Sequence, residues 1–126
     1  MVFDTNFLIS LSGKSKHLPR ARALAFQATH DGAPAYIARV TEMEFAAGFD
    51  TAAAANRYLS LFTTLPIDED IWQSGTEIFR QLRREGLKIG MADTLIAAAA
   101  LTYGLPVVTD NTAHFKRVPG LRVLGY

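Results

Sequence analysis

Apolar positions along the chain follow two rhythms. Short solid runs at Met1-Val2-Phe3, Ala35-Tyr36-Ile37 and Pro106-Val107-Val108 read as buried strands, and Arg122-Val123-Leu124 reads as a fourth. Between them apolar residues recur at helical spacing. Thr5 to Leu11 is expected to carry the first run into a turn or helix. After a loop at Gly13-Lys14-Ser15-Lys16, Leu18 to Thr29 is predicted helical, with Leu24, Ala25 and Ala28 on its apolar face. Asp31-Gly32 breaks it. Thr41 is expected to cap a helix through Glu44 and Phe45 that Gly48 closes. Another helix is expected from near Asp50 through Tyr58 to Leu61, followed by an extended link at Leu65-Pro66-Ile67.

Asp68 is the expected cap of the next helix, with Glu69 and Asp70 in its first turn, where carboxylates complement the helix dipole. Its apolar stripe is Ile71, Trp72, Gly75, Ile78, Phe79 and Leu82, and Gly86 ends it. Asp93 opens a last long helix over Thr94 to Tyr103, stopped by Gly104. Strands alternating with helices predict an α/β fold, a parallel sheet covered by helices on both faces. No linker, repeat or low-complexity tract interrupts it, so residues 1–126 are read as one domain.

Composition narrows the chemistry. The chain is 49% hydrophobic and 20% charged, which suits a folded core, and its 126 residues are enough for one. The formal net charge of +1 demands no nucleic-acid partner, so any such argument rests on local clusters. With no cysteine, disulfides, thiolate metal sites and cysteine nucleophiles are excluded, and a reducing cytoplasm fits. There is no signal-like stretch at the N-terminus, and the longest apolar run, Leu95 to Leu101, is too short to span a bilayer; no membrane role is expected.

Four acidic positions fall at strand–helix junctions. Asp4 follows the first strand, Glu44 lies early in the helix after the second, Asp93 opens a helix, and Asp110 follows the third strand between Thr109 and Asn111. In open parallel sheets, ligands gather beyond the carboxyl ends of the strands. Asp4 is therefore expected at the lip of the sheet, presented to a cleft and not buried in the core. Clustered carboxylates raise each other's pKa values, and a cation removes that difficulty. Oxygen donors without Cys or grouped His point to Mg²⁺ or Mn²⁺. Such an ion can activate water and neutralise a phosphoryl oxygen, which is chemistry for phosphodiester cleavage. Each acid also has an ordinary reading: a cap for Asp4 and Asp93, solvent exposure for Glu42 and Glu44, a turn for Asp110.

VFDTNFLIS (Val2–Ser10), TEMEFAAG (Thr41–Gly48), IGMADTLIAAAAL (Ile89–Leu101) and VVTDNTAHFKRVPGLRV (Val107–Val123), in that order and spacing, resemble the PIN-domain ribonucleases, in particular the VapC-type toxins of toxin–antitoxin pairs. The resemblance implies a PIN-like sheet of about five parallel strands and a metal-dependent endoribonuclease, leaving a 5′-phosphate and a 3′-hydroxyl. It implies that Asp4, Glu44 and Asp93 hold Mg²⁺ or Mn²⁺, with Glu44 and not Glu42 in the family position. Thr5 and Asn6 match polar residues that support the first acid, and Thr109 matches a site-lining hydroxyl. The fourth position is open between Asp110, which carries charge, and Asn111, which holds the favoured register; the expectation is Asp110 as the charged contributor to the metal site, through a metal-bound water, with Asn111 positioning that water or the substrate. Ala38 stands where the family often has Ser or Thr. A homodimer and a VapB-like antitoxin are further implications.

Arg80, Arg83, Arg84 and Lys88 cluster at a helix C-terminus, where cations are favourable without any ligand. Read functionally, Arg83 and Arg84 bind RNA phosphates, with Lys14, Lys16, Arg20, Lys116 and Arg117 extending the patch. His114 reads as a surface histidine and Trp72 and Phe79 as core. Ser10, Ser12 and Ser15 have no His–Asp partnership. Two rival functions use the same sequence: a metal-dependent DNA nuclease or phosphatase, and a PIN-fold RNA- or antitoxin-binding protein without catalysis. The sequence selects no particular RNA.

Overall fold

The computed structural model describes residues 1–126. The chain runs β1 (Val2–Phe3), α1 (Thr5–Ser12), α2 (Arg20–Thr29), β2 (Tyr36–Ala38), α3 (Arg39–Ala47) and α4 (Ala52–Leu59). It continues with β3 (Thr63–Leu65), α5 (Glu69–Arg84), α6 (Met91–Thr102), β4 (Val107–Thr109), α7 (Thr112–Phe115) and β5 (Val123–Gly125). The five strands form one sheet in the order β3-β2-β1-β4-β5, and every neighbouring pair is parallel. The chain starts at the central strand, winds outward through β2 to β3, then crosses to build β4 and β5. The sense of winding therefore reverses beside β1, and the crevice of such a sheet opens at that reversal.

Alternate residues of each strand feed opposite faces. Val2, Ala38 and Val107 enter a core beneath α5 and α6, with Ile71, Leu82 and Ile96. Phe3, Ile37 and Val108 enter the opposite core, with Phe7, Leu8 and Phe45 from α1 and α3. Ala97, Ala98, Ala99 and Ala100 are fully buried, so α6 lies close to its neighbours. Gly75 has the same use on α5. A Cβ there would stand 3.2 Å from Leu95 Cδ2 and 3.7 Å from Ala98 Cβ. A helix-interior glycine costs about 1 kcal/mol relative to alanine in isolation, and here it admits the neighbouring helix.

Several expectations change. The extended link read at Leu65-Pro66-Ile67 begins with the last residue of a strand that was not expected: β3 covers Thr63–Leu65 and pairs with β2 through all three residues. A three-residue edge strand with two polar threonines carries little periodic signal. Thr41 is not a cap: β2 passes directly into α3, whose N-cap is Ala38, and Thr41 is fully buried inside the helix. The buried residue of α2 is Ala23, while Leu24, Ala25 and Ala28 are exposed. Trp72 is 57% exposed and is not core; Ile71, one position away, takes the inward place. Helix α6 starts at Met91 behind Gly90, so Asp93 lies in its first turn and does not cap it. The expected cap at Asp68 is made, accepting the Ile71 N–H at 3.0 Å, and α4, expected from near Asp50, is capped by Thr51, which accepts the Ala54 N–H at 3.2 Å.

Candidate active site

Asp4 joins β1 to α1. As the N-cap of α1, it accepts the Phe7 backbone N–H on Oδ1 at 2.8 Å. Its other oxygen, Oδ2, accepts the Thr109 hydroxyl at 2.6 Å. Asp4 is at the sheet's lip as expected, but it is buried there, with 3% of its surface exposed. The cap and the Thr109 bond draw it inward. Burial pushes its pKa up to about 7; the Thr109 and Phe7 hydrogen bonds pull it down, and the charges of Asp110 and Asp93 push it up again.

The other acids stand around it. Asp93, half-buried in the first turn of α6, has its pKa raised by burial, lowered by His114 and raised by Glu44. Glu44, exposed on α3, accepts the Thr5 hydroxyl on Oε1 at 2.9 Å. Asp110 follows β4 and accepts from Asn6 Nδ2 at 3.4 Å. Asp4 thus senses Asp110 and Asp93, and Asp93 senses Glu44, so the four acids share one field. Glu42 is engaged elsewhere, by Arg39 at 3.0 Å and the Thr64 hydroxyl at 2.7 Å.

The supporting roles are redistributed. Thr5 and Asn6 do not support Asp4; Thr5 holds Glu44 and Asn6 holds Asp110. Thr109 supports the first acid, and its oxygen also accepts the Asn111 backbone N–H at 2.9 Å. Asn111 turns its side chain to His114 Nδ1 at 2.9 Å and hydrogen-bonds none of the acids. Arg83 and Arg84 lie exposed in the last turn of α5 and pair with none of the acids. His114, read as a surface residue, is half-buried and stands 3.7 Å from Asp93. The only sequence signal for it is its place three residues after Asn111, which puts both on one side of a helical turn.

The donor set fits a hard divalent cation: oxygen ligands only, with repulsion that burial strengthens. No three His, Asp or Glu side chains stand together as a ready-made cage. Glu44 is held toward Thr5 and Asp110 toward Asn6. A separate cavity of about 170 Å³, lined by Trp72, Phe79, Met91 and Leu95, lies between α5 and α6. No helix is long and apolar enough to cross a membrane.

The family model described as the PIN domain matches residues 1–121. The chain is 33% identical to "Ribonuclease VapC" of Rickettsia bellii over 98% of this chain and 94% of that protein. It is 32% identical to the "tRNA(fMet)-specific endonuclease VapC" of Salmonella typhimurium over 69% of this chain and 71% of that protein. The solved structure of DNA-bound VapBC from Salmonella typhimurium superposes with a TM-score of 0.73 at 29% identity, covering 98% of this chain and 96% of that one.

Proposed function

The chain belongs to the PIN-domain family, and from that membership we propose that it is a Mg²⁺- or Mn²⁺-dependent endoribonuclease, the toxin of a VapBC-type pair. One observation carries the catalytic reading. A buried carboxylate, Asp4, is kept beside Asp93 and Asp110 at the point where the sheet reverses its winding. Such a concentration of like charge is unfavourable for folding alone and becomes favourable around a cation.

Asp4, Glu44, Asp93 and Asp110 would hold the metal. When bound, it supplies an activated water and charge neutralisation at the phosphoryl group. The chain's own residues fix the ligands. Thr109 and the Phe7 N–H orient the two oxygens of Asp4, Thr5 restrains Glu44, and Asn6 restrains Asp110. Three elements distant in sequence are tied together by these bonds, so Asp4, Glu44 and Asp110 are positioned before substrate arrives. Exposed cations on α5 and just after α7, including Arg83, Arg84 and Lys116, would meet RNA phosphates. A VapB-like antitoxin is part of the same proposal, supported by the VapBC likeness; a homodimer is part of it too, on family membership alone. Transfer RNA is the first substrate to try, given the Salmonella relative's name.

The test incubates the protein with RNA, DNA and a small phosphoester, with Mn²⁺ or with chelator. Cleavage of RNA alone, abolished by chelator and by Asp4→Asn, is expected. Preferential DNA or phosphoester hydrolysis would select a different enzyme class, and RNA binding without metal-dependent cleavage would select a non-catalytic binder.

A further inference from the structure

His114 carries an unexplained buried atom. Its Nε2 is shielded from solvent and has no hydrogen-bond partner. The nearest carboxylate oxygen, Asp93 Oδ2, is 3.7 Å away, within ion-pair range and too long for a hydrogen bond. The other ring nitrogen, Nδ1, meets the Asn111 side-chain amide nitrogen at 2.9 Å. An amide nitrogen only donates, so Nδ1 must accept, and the neutral ring then carries its proton on Nε2. The opposite tautomer would require the amide turned over and would aim a bare nitrogen lone pair at a carboxylate. Both contacts therefore select one proton position.

We propose that His114 is a positioning residue for Asp93: Asn111 fixes its Nε2–H tautomer, and the positive end of that N–H faces the Asp93 carboxylate across 3.7 Å and restrains it by charge–dipole attraction. The arrangement follows a general rule for metal-binding carboxylates, whose orientation depends on donors behind them. Asp93 needs such a donor more than its neighbours do. Asp4 has Thr109 and the Phe7 N–H, Glu44 has Thr5 and Asp110 has Asn6, whereas no hydroxyl or amide reaches Asp93. Helix α7 is a single turn between β4 and the Arg117 contact to the Lys88 carbonyl at 3.1 Å. That contact ties the segment carrying His114 to the loop that precedes α6, and so fixes the ring relative to Asp93.

The inference rests on the metal-site reading but is tested without RNA. Two-bond ¹H–¹⁵N correlation spectra of the metal-free protein at pH 8 report the tautomer, and Mn²⁺ titrations of folded His114→Ala and His114→Gln report the positioning. The expected result is the Nε2–H form, with Mn²⁺ affinity lowered about 10- to 100-fold in His114→Ala. His114→Gln, whose amide can place a donor near the same point, is expected to regain most of that affinity. An Nδ1–H tautomer or an imidazolium would overturn the proposal, as would unchanged Mn²⁺ affinity in His114→Ala, or a Gln variant no better than Ala. A wild-type protein with the expected tautomer and Mn²⁺ affinity that cleaves no RNA would defeat the nuclease reading and leave this one standing.

Discussion

Thr109, the last residue of β4, donates its hydroxyl to Asp4 at the end of the neighbouring strand β1 across 2.6 Å, and both residues are buried. The bond closes the gap between strands 105 positions apart in sequence, at the place where the sheet changes its direction of winding. Thr109 Oγ1 also accepts the Asn111 N–H, so one hydroxyl orders the acid and the turn that follows β4.

Thr109→Val removes that hydroxyl at nearly constant volume. One Asp4 oxygen and the Asn111 N–H lose their partners. The expected loss is about 1.5–3 kcal/mol at pH 8, the usual range for a hydrogen bond to a charged group. Urea denaturation measures it. Mn²⁺ affinity should fall as well, because Asp4 is then free to turn. A variant as stable as wild type would show that the short contact contributes little.

Asp4 should make the metal-free protein less stable as pH rises. Its folded pKa of about 7 lies above its ordinary value of 3.8, so the folded state binds the extra proton between those limits. This contribution is fully present below pH 4, declines through pH 7 and is flat beyond. Asp4→Asn keeps a good cap and has no charge to bury. It is expected to match wild type near pH 4 and to exceed it by on the order of 2–4 kcal/mol at pH 8. Denaturation at several pH values, with chelator, is the measurement. Cleavage by the same variant should be at background, which separates the residue's cost to folding from its use.

Glu44→Gln and Glu42→Gln should divide function from structure. Glu44 senses Asp93, whereas Glu42 pairs with Arg39 and Thr64 at the surface. Glu44→Gln is expected to abolish cleavage with the fold unchanged. Glu42→Gln should retain activity and lose no more than about 1 kcal/mol of stability, as for other exposed pairs. Equal losses of activity would place the wrong glutamate in the site.

Much of this was legible before folding. Asp4, Glu44 and Asp110 were marked by their places after β1, β2 and β4, because a parallel sheet puts the ends of its strands on one edge. Asp93 was placed at such a junction too, but α6 follows α5 and no strand, so only its position at the start of a helix marked it. The partners of these acids were not marked. Which hydroxyl serves which acid depends on how β1, α1, α3 and β4 meet, and Thr5 serves Glu44 although it adjoins Asp4. His114 was hidden because its neighbour Asp93 lies twenty-one positions away on another helix. Trp72 was misplaced because Trp72 and Ile71 both fit the helical stripe, and only packing on α6 chooses between them. Edge strand β3 was lost because its polar threonines face partly outward.

The basic end of α5 offers a test by salt. Arg83→Glu with Arg84→Glu should weaken RNA binding and flatten its dependence on salt by about 0.7 in logarithmic slope for each lost single-strand phosphate contact. Mn²⁺ affinity should change little, since neither arginine pairs with an acid. An unchanged slope would leave the pair as an ordinary solvated helix end.

The residues after β4 divide the remaining work. Asp110 leaves the strand toward the acids, where it accepts from Asn6 and raises the pKa of Asp4. Asn111 gives its backbone N–H to Thr109 and its side chain to His114. The sharp turn between β4 and α7 removes the strict alternation that an extended strand would impose, but still sends the two side chains to different partners. Asp110→Asn is therefore expected to weaken Mn²⁺ binding directly and to lower the pKa of Asp4, because one of the charges that raises it is gone. Asn111→Ala should leave that pKa where it is and act only through the imidazole. A titration of the Asp4 carboxyl by ¹³C NMR in the metal-free variants, beside Mn²⁺ titration, reads both effects. If Asn111→Ala moves the Asp4 titration and Asp110→Asn does not, the fourth acidic place belongs to the Asn111 register and Asp110 is a turn residue.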